Sequence, residues 1–278
     1  QADAIMNEQG VPNYDRHLAL SSRDYNNMAN NLSVASRSFG NEKSDSAYER
    51  SYVGMVAGFD TLKLDYANNL TAAAGGGAIT IDTQAAATNY LVPAATSVAT
   101  GGQINVDNRY QTVTVSSTTS VAAGDAFTIA GVDACHHITK LSTGNLKTFR
   151  VISITNGTTM VISPGIVSNQ GTTDAEAQYQ NCIVTPAAAA AIVWLNKNTA
   201  RVNPFWHRDA LELLPGRYSI PTDAGVATLR GTTDNGLELV MSKFYDINTM
   251  TTKFRCDTLF GVVNLQPEMS GIMLFGQL

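Results

Sequence analysis

Apolar and polar residues alternate most strictly over Gln111-Thr112-Val113-Thr114-Val115, the pattern of a half-buried strand. Ala123-Gly124-Asp125 reads as a turn, with a second strand over Ala126 to Ala130. Thr148 to Ile154 and Thr159 to Ser163 are β-branched runs flanking Asn156-Gly157, which predicts a hairpin with a type I′ turn. Strands and turns at this density predict a small barrel or sandwich.

The flanking segments are patterned differently. Asp3 to Gln9 reads as the end of a helix stopped by Gly10 and Pro12. Ser21-Ser22-Arg23-Asp24-Tyr25 offers an N-cap to a helix through about Asn31, Glu42 to Arg50 reads as a polar turn, and Gly54 to Asp60 leads into an extended segment through Leu64. Thr185-Pro186 predicts a helical turn over Ala187 to Ala191, followed by a strand at Ile192 to Leu195. Phe205-Trp206 opens an apolar run through Leu214. Gly236 to Tyr245 and Thr251 to Leu265 are long strand candidates, Pro267 stops the second, and Ile272 to Phe275 makes a last short strand. Alternation places Leu237, Leu239 and Met241 on one face, expected to meet a main core near Phe59 and Leu62, with Glu238 and Val240 on the other. The resulting expectation is an α+β main domain formed by 1–70 and 198–278, interrupted by a β-domain over 71–197.

Composition narrows the function. Only 15% of the 278 residues are charged, against roughly 25% in ordinary soluble domains. Between Thr71 and Ala130 the charged residues are Asp82, Asp107, Arg109 and Asp125 alone. Such a surface suits one pressed against other subunits, and equally a secreted β-rich protein. Net charge −5, with no three basic residues together, excludes a nucleic-acid-gripping stripe. A wall of this kind would let packed DNA slide past. Cys135, Cys182 and Cys256 are odd in number and scattered, which fits a reducing compartment rather than a disulfide framework. Gln1-Ala2-Asp3 lacks the basic and apolar regions of a signal peptide, and the apolar run Ala187 to Leu195 is too short to span a bilayer.

Candidate chemistry is sparse. The sequence holds no GxSxG elbow, HExxH pair, Walker loop or GxGxxG turn, so no catalytic or cofactor-binding residues are assigned. Gly75-Gly76-Gly77 follows alanines and reads as a linker. Cys135-His136-His137 with Cys182 offers zinc-type ligands, but neighbouring strand residues point to opposite faces, so the cluster reads as a loop and no metal is assigned. His17 and His207 read as structural histidines, and Trp194 and Trp206 as core anchors.

Four stretches, in order, resemble one family. Ile104-Asn105-Val106-Asp107-Asn108-Arg109-Tyr110, Thr112 to Val115, Ala123 to Asp125 and Ala130-Gly131-Val132 resemble the inserted β-domain of short-tailed Salmonella-type phage coat proteins. Val56-Ala57-Gly58-Phe59-Asp60 is similar to the segment just before that insertion. Asn203, Phe205-Trp206 and Asp209-Ala210 resemble the point of re-entry, and Phe260 to Glu268 the terminal strand and turn.

The resemblance implies a tailed-phage capsid fold: axial and peripheral domains, a long β hinge and an inserted antiparallel β-barrel. It also implies an N-terminal arm, extended loop and spine helix preceding this chain. The implied function is a structural subunit of an icosahedral capsid, built of hexamers and pentamers and enclosing double-stranded DNA. The implied partners are a scaffolding protein and a portal. The implied location is the virion, after assembly in the bacterial cytoplasm, with no membrane involved. The family's charged loop between capsomers corresponds here to the uncharged Ser97-Val98-Ala99-Thr100-Gly101-Gly102. Ser97, Thr100, Gly101 and Gly102 are therefore candidates for inter-subunit contacts that are not ionic. The alternative is a secreted or surface-exposed adhesive β-rich protein, which the Thr/Ser/Asn-rich middle and the sequons at Asn31, Asn69 and Asn156 would also fit.

Overall fold

The computed structural model describes residues 2–36, 50–74, 79–82, 95–96, 98–104, 107, 109–169, 174–220 and 226–277. It divides into two units, Gln1–His207 with Met269–Leu278, and Arg208–Glu268. The expected turn at Glu42 to Arg50 and the Gly75–Gly77 linker lie almost wholly outside the described residues.

The first unit carries a five-stranded mixed sheet with the order Ser270–Met273, Asn203–His207, Arg16–Ser21, Phe59–Leu64, Met55–Val56. Arg16–Ser21 and Phe59–Leu64 run parallel, with Leu18 opposite Thr61. A parallel pair needs a crossover connection, and the helix Ser22–Ser36 lies within it. Ser21 caps that helix: its Oγ accepts from the Asp24 amide at 3.2 Å and donates to Asp24 Oδ2 at 2.7 Å. Leu18, Leu20, Tyr25, Val53, Phe59 and Phe205 form the core, with Met269 and Met273 packed against it.

Phe59 therefore meets the end of the chain as expected, through Phe205, Met269 and Met273. The expected neighbour strand differs: Leu237 to Met241 belongs to the second unit, and Leu62 is 47% exposed. Leu62, three residues from Phe59 on the same strand, points to the opposite face of the sheet. Arg16 is buried in the central strand, with four hydrogen bonds from its guanidinium. It donates to Pro12 O at 2.7 Å, Val11 O at 2.5 Å, Asn7 Oδ1 at 2.8 Å and Asp3 Oδ1 at 2.5 Å. Buried charge is tolerated only when paired and bonded in this way.

A second sheet, antiparallel and also five-stranded, has the order Ile192–Trp194, Ala126–Cys135, Ser142–Asn156, Thr159–Ser163, Gln111–Thr114. Ile79, Ile81, Val113, Phe127, Ile129, Phe149, Val151, Met160 and Ile162 form its own core. Residues 79–82 bond to both edges of this sheet. Ile192 N donates to Ile79 O and Ile81 N to Ala190 O, each at 2.9 Å, while Ser116 N donates to Thr80 O at 2.8 Å and Asp82 N to Thr114 O at 3.1 Å. A turn does form over Ala187–Ala190, closed by Ala190 N donating to Ala187 O at 3.0 Å, but Ala189 at φ 58° makes it non-helical, and the flanking backbone bonds residues 79–81.

The hairpin at Asn156-Gly157 forms, with Thr159 opposite Asn156. Its turn is not type I′. The central residues are Gly157 and Thr158, and neither lies at positive φ. Asn156 Oδ1 accepts from Thr158 N at 2.9 Å, and Thr118 bonds the turn through its amide to Gly157 O and its hydroxyl to Asn156 O. The type I′ signature sits at Ala57 (φ 50°) and Gly58 (φ 80°), between Val56 and Phe59. Gly157→Val, with open space around a new Cβ, is thus expected to change stability by less than about 0.5 kcal/mol. Ala57→Gly relieves a left-handed alanine and should stabilise by about 1 kcal/mol. Urea midpoints of the two variants check both values.

In the second unit, Leu211–Pro215 pairs with Phe260–Asn264, and Glu238–Asp246 lies between Ala227–Thr232 and Thr251–Thr258. The alternation expected at Leu237 to Met241 holds, but burial is inverted: Val240 is 3% exposed, Leu239 44% and Met241 38%. The registers place Leu229, Leu239, Met241, Tyr245 and Phe254 on one exposed face. The opposite face carries Arg230, Glu238, Lys253, Asp246, Arg255 and Asp257, joined as ion pairs. The first face is mainly apolar, with Lys243 lying over the Phe254 ring, and the second mainly charged, with Phe244 exposed among the ion pairs.

Candidate subunit-contact site

The sequence singled out the uncharged stretch from Ser97 to Gly102. Ser97 lies outside the described residues. The rest forms the tip of a hairpin whose strands, Ala95–Thr96 and Gln103–Ile104, pair with Ala95 opposite Ile104. Val98, Ala99, Thr100, Gly101 and Gly102 are all exposed. Gly101 takes φ +66°, a left-handed position that suits glycine, and Gly102 N donates to Thr100 Oγ1 at 3.4 Å. Thr100, Gly101 and Gly102 thus lie together at one exposed hairpin tip.

Charge next to the tip is internally consumed. Arg109 Nη2 reaches Asp107 Oδ2 at 2.5 Å and Arg109 Nε reaches Asp107 Oδ1 at 2.8 Å. Hydrogen bonding to that guanidinium lowers the Asp107 carboxyl to about 2. An acid and base two residues apart that neutralise each other offer little to a charged neighbour. The tip itself presents backbone groups and the exposed Val98 side chain. Val98 is the one large apolar residue of the stretch 97–102 and is fully exposed.

The cysteine–histidine cluster is divided by its strands. Ala134 bridges Cys182, so Cys135 projects from the face opposite Cys182. His136 Nδ1 accepts from the Ile138 and Thr139 amides, and His137 Nδ1 lies 3.0 Å from Glu8 O. Among the described residues no group of three or more His, Cys, Asp or Glu could hold a metal. Burial pushes the Cys182 thiol up to about 12 and raises Cys135 as well. Cys182 stays a thiol at neutral and mildly alkaline pH. A maleimide time course should therefore label exposed Cys256 first and Cys182 only on unfolding. No helix among the described residues is long and apolar enough to cross a membrane.

Among the described residues, abundant sheet, an uncharged exposed hairpin tip and an exposed apolar sheet face fit a structural coat subunit. The family model described as P22 coat protein, gene protein 5, matches residues 1–276, and the chain belongs to that family. It is accordingly a structural capsid subunit and a component of the virion, and the adhesive alternative is set aside. Among solved structures the chain is similar to the CUS-3 coat protein I-domain, with 41% identity over 43% of this chain and 96% of that one, at a TM-score of 0.33.

Proposed function

We propose that this subunit builds an icosahedral shell of hexamers and pentamers that encloses double-stranded DNA without sequence-specific contact. The observation that carries the reading is the family match across residues 1–276. In this reading 1–70 and 198–278 make the main capsid domain, the latter with a long β hinge, and 71–197 is an inserted β-barrel. Two features support the insertion: its separate core, and residues 79–82 bonded to both sheet edges, which would close the barrel. Thr100, Gly101 and Gly102 are proposed to touch neighbouring subunits by uncharged contacts, with Ser97 continuing that loop. The exposed apolar face around Leu229, Met241 and Phe254 is the kind of surface that marks protein contacts. Assembly is proposed to take place in the host cytoplasm around a scaffolding protein and a portal, and no catalysis is assigned.

Negative-stain electron microscopy tests the shell. The protein as its gene encodes it, co-expressed with its scaffolding partner, should give closed particles of uniform size. Fibres, or monomers alone, would overturn the reading.

A further inference from the structure

The chain enters and leaves the 71–197 segment side by side. Asn69–Leu70 pairs with Ala200–Arg201, Leu70 opposite Ala200. Bonding continues past both ends of that pair. Val202 N donates to Asn68 O at 2.9 Å and Arg201 Nη1 to Ala67 O at 2.8 Å. Beyond the other end, Ala72 N donates to Thr199 Oγ1 at 3.1 Å and Ala73 N to Asn196 O at 2.8 Å. A two-stranded ribbon of this length is marginal in water by itself. What holds it stands at its ends.

An asparagine with no exposed surface occupies each end, Asn203 toward the mixed sheet and Asn196 toward the antiparallel one. Asn203 Oδ1 accepts from Ser21 N at 2.7 Å, and its Nδ2 donates to Asp24 Oδ2 at 3.0 Å and to Arg201 O at 3.3 Å. Asn196 Nδ2 donates to Asp125 Oδ1 at 2.8 Å and Thr71 O at 3.0 Å, while its Oδ1 accepts from Ala126 N at 3.3 Å. Between them Gln277 grips the leaving strand. Its Oε1 accepts from Asn198 N at 3.0 Å and its Nε2 donates to Asn198 O at 3.1 Å. A side-chain amide offers two donors and an acceptor at once without charge.

We propose that this ribbon is a rigid strut, and that Asn196 and Asn203 are positioning residues fixing the direction in which the inserted domain projects. The inference rests on the reading of 71–197 as an inserted domain. Each asparagine joins the ribbon to one flanking sheet through buried bonds. Rotation of either sheet about the ribbon would leave those groups unmatched, which buried polar groups resist. The exposed tip at Thr100 to Gly102 is then aimed before any neighbour arrives.

Amide residual dipolar couplings of the intact chain test the strut. In the unmodified protein, amides from 16–21 and 59–64 and those from 111–114 and 142–163 should fit one alignment tensor. Asn196→Leu and Asn203→Leu, which keep shape and lose the bonds, should retain both sets of chemical shifts but need two tensors. Gln277→Ala, remote from both cores, should do the same to a smaller degree. A single shared tensor in the folded variants would overturn the strut alone, as would two tensors in the unmodified protein. Loss of both signal sets together in all three variants would overturn the inserted-domain reading and the strut with it.

Discussion

Phe59→Ala is expected to unfold the mixed-sheet core while leaving the antiparallel sheet standing. Phe59 is 3% exposed, and its ring meets Phe205 edge-on with centroids 6.1 Å apart. Phe205 itself lies over Gly271, where an added Cβ would fall 2.4 Å from its Cζ. Truncating a buried aromatic costs about 3–5 kcal/mol. The two tryptophans report separately: Trp206 sits beside His17 in the mixed sheet, and Trp194 lies against Phe127 in the antiparallel one. In backgrounds keeping one tryptophan each, the urea midpoint read by Trp206 should fall and that read by Trp194 should hold. Equal movement of both would mean one cooperative core.

Phe127→Ala should give the mirror result. Phe127 has no exposed surface, and its ring contacts Phe149 at 5.7 Å and Trp194 at 5.5 Å. Truncation removes the centre of an aromatic triplet and should cost about 3–5 kcal/mol. Here the Trp194 midpoint falls and the Trp206 midpoint holds. Coat subunits carrying this substitution should keep the bonds around Arg16 and the cap at Ser21, both observable by amide exchange. Loss of protection at Leu18 and Leu20 in Phe127→Ala would contradict the separation of the cores.

Local strand patterns were legible in the sequence wherever alternation was strict. Gln111 to Thr114 and Thr159 to Ser163 lie where their β-branched residues place them, and they pair with each other. Alternation reports which residues share a face, not what covers it. That is why Leu239 and Met241 were rightly grouped and wrongly buried. Turn chemistry misled at Asn156-Gly157, where a local Asx bond and Thr118 set the backbone, while a true left-handed pair formed at Ala57-Gly58. Alanine richness misled at Ala187 to Ala191, since long-range pairing overrode helix propensity. Nothing in the sequence marks Arg16 or Asn196, and Asn203 stands out only as part of the re-entry segment, not for its bonds. Asn203 bonds Ser21 and Asp24 across more than 170 positions, and no local spacing encodes such a partner. Of the candidate contact loop, the absence of charge was legible, and its exposure as a hairpin tip was not.

The central claim is a shell of identical subunits, each displaying a separately folded insertion. Cryo-electron microscopy of particles assembled from the encoded protein measures it most directly. The expected reconstruction is a closed icosahedral shell with hexamers and pentamers, in which residues 111–163 fill a discrete lobe joined to the wall through one ribbon at 67–73 and 196–202. Particles without icosahedral order, or a wall into which those residues are merged with no separate lobe, would contradict it.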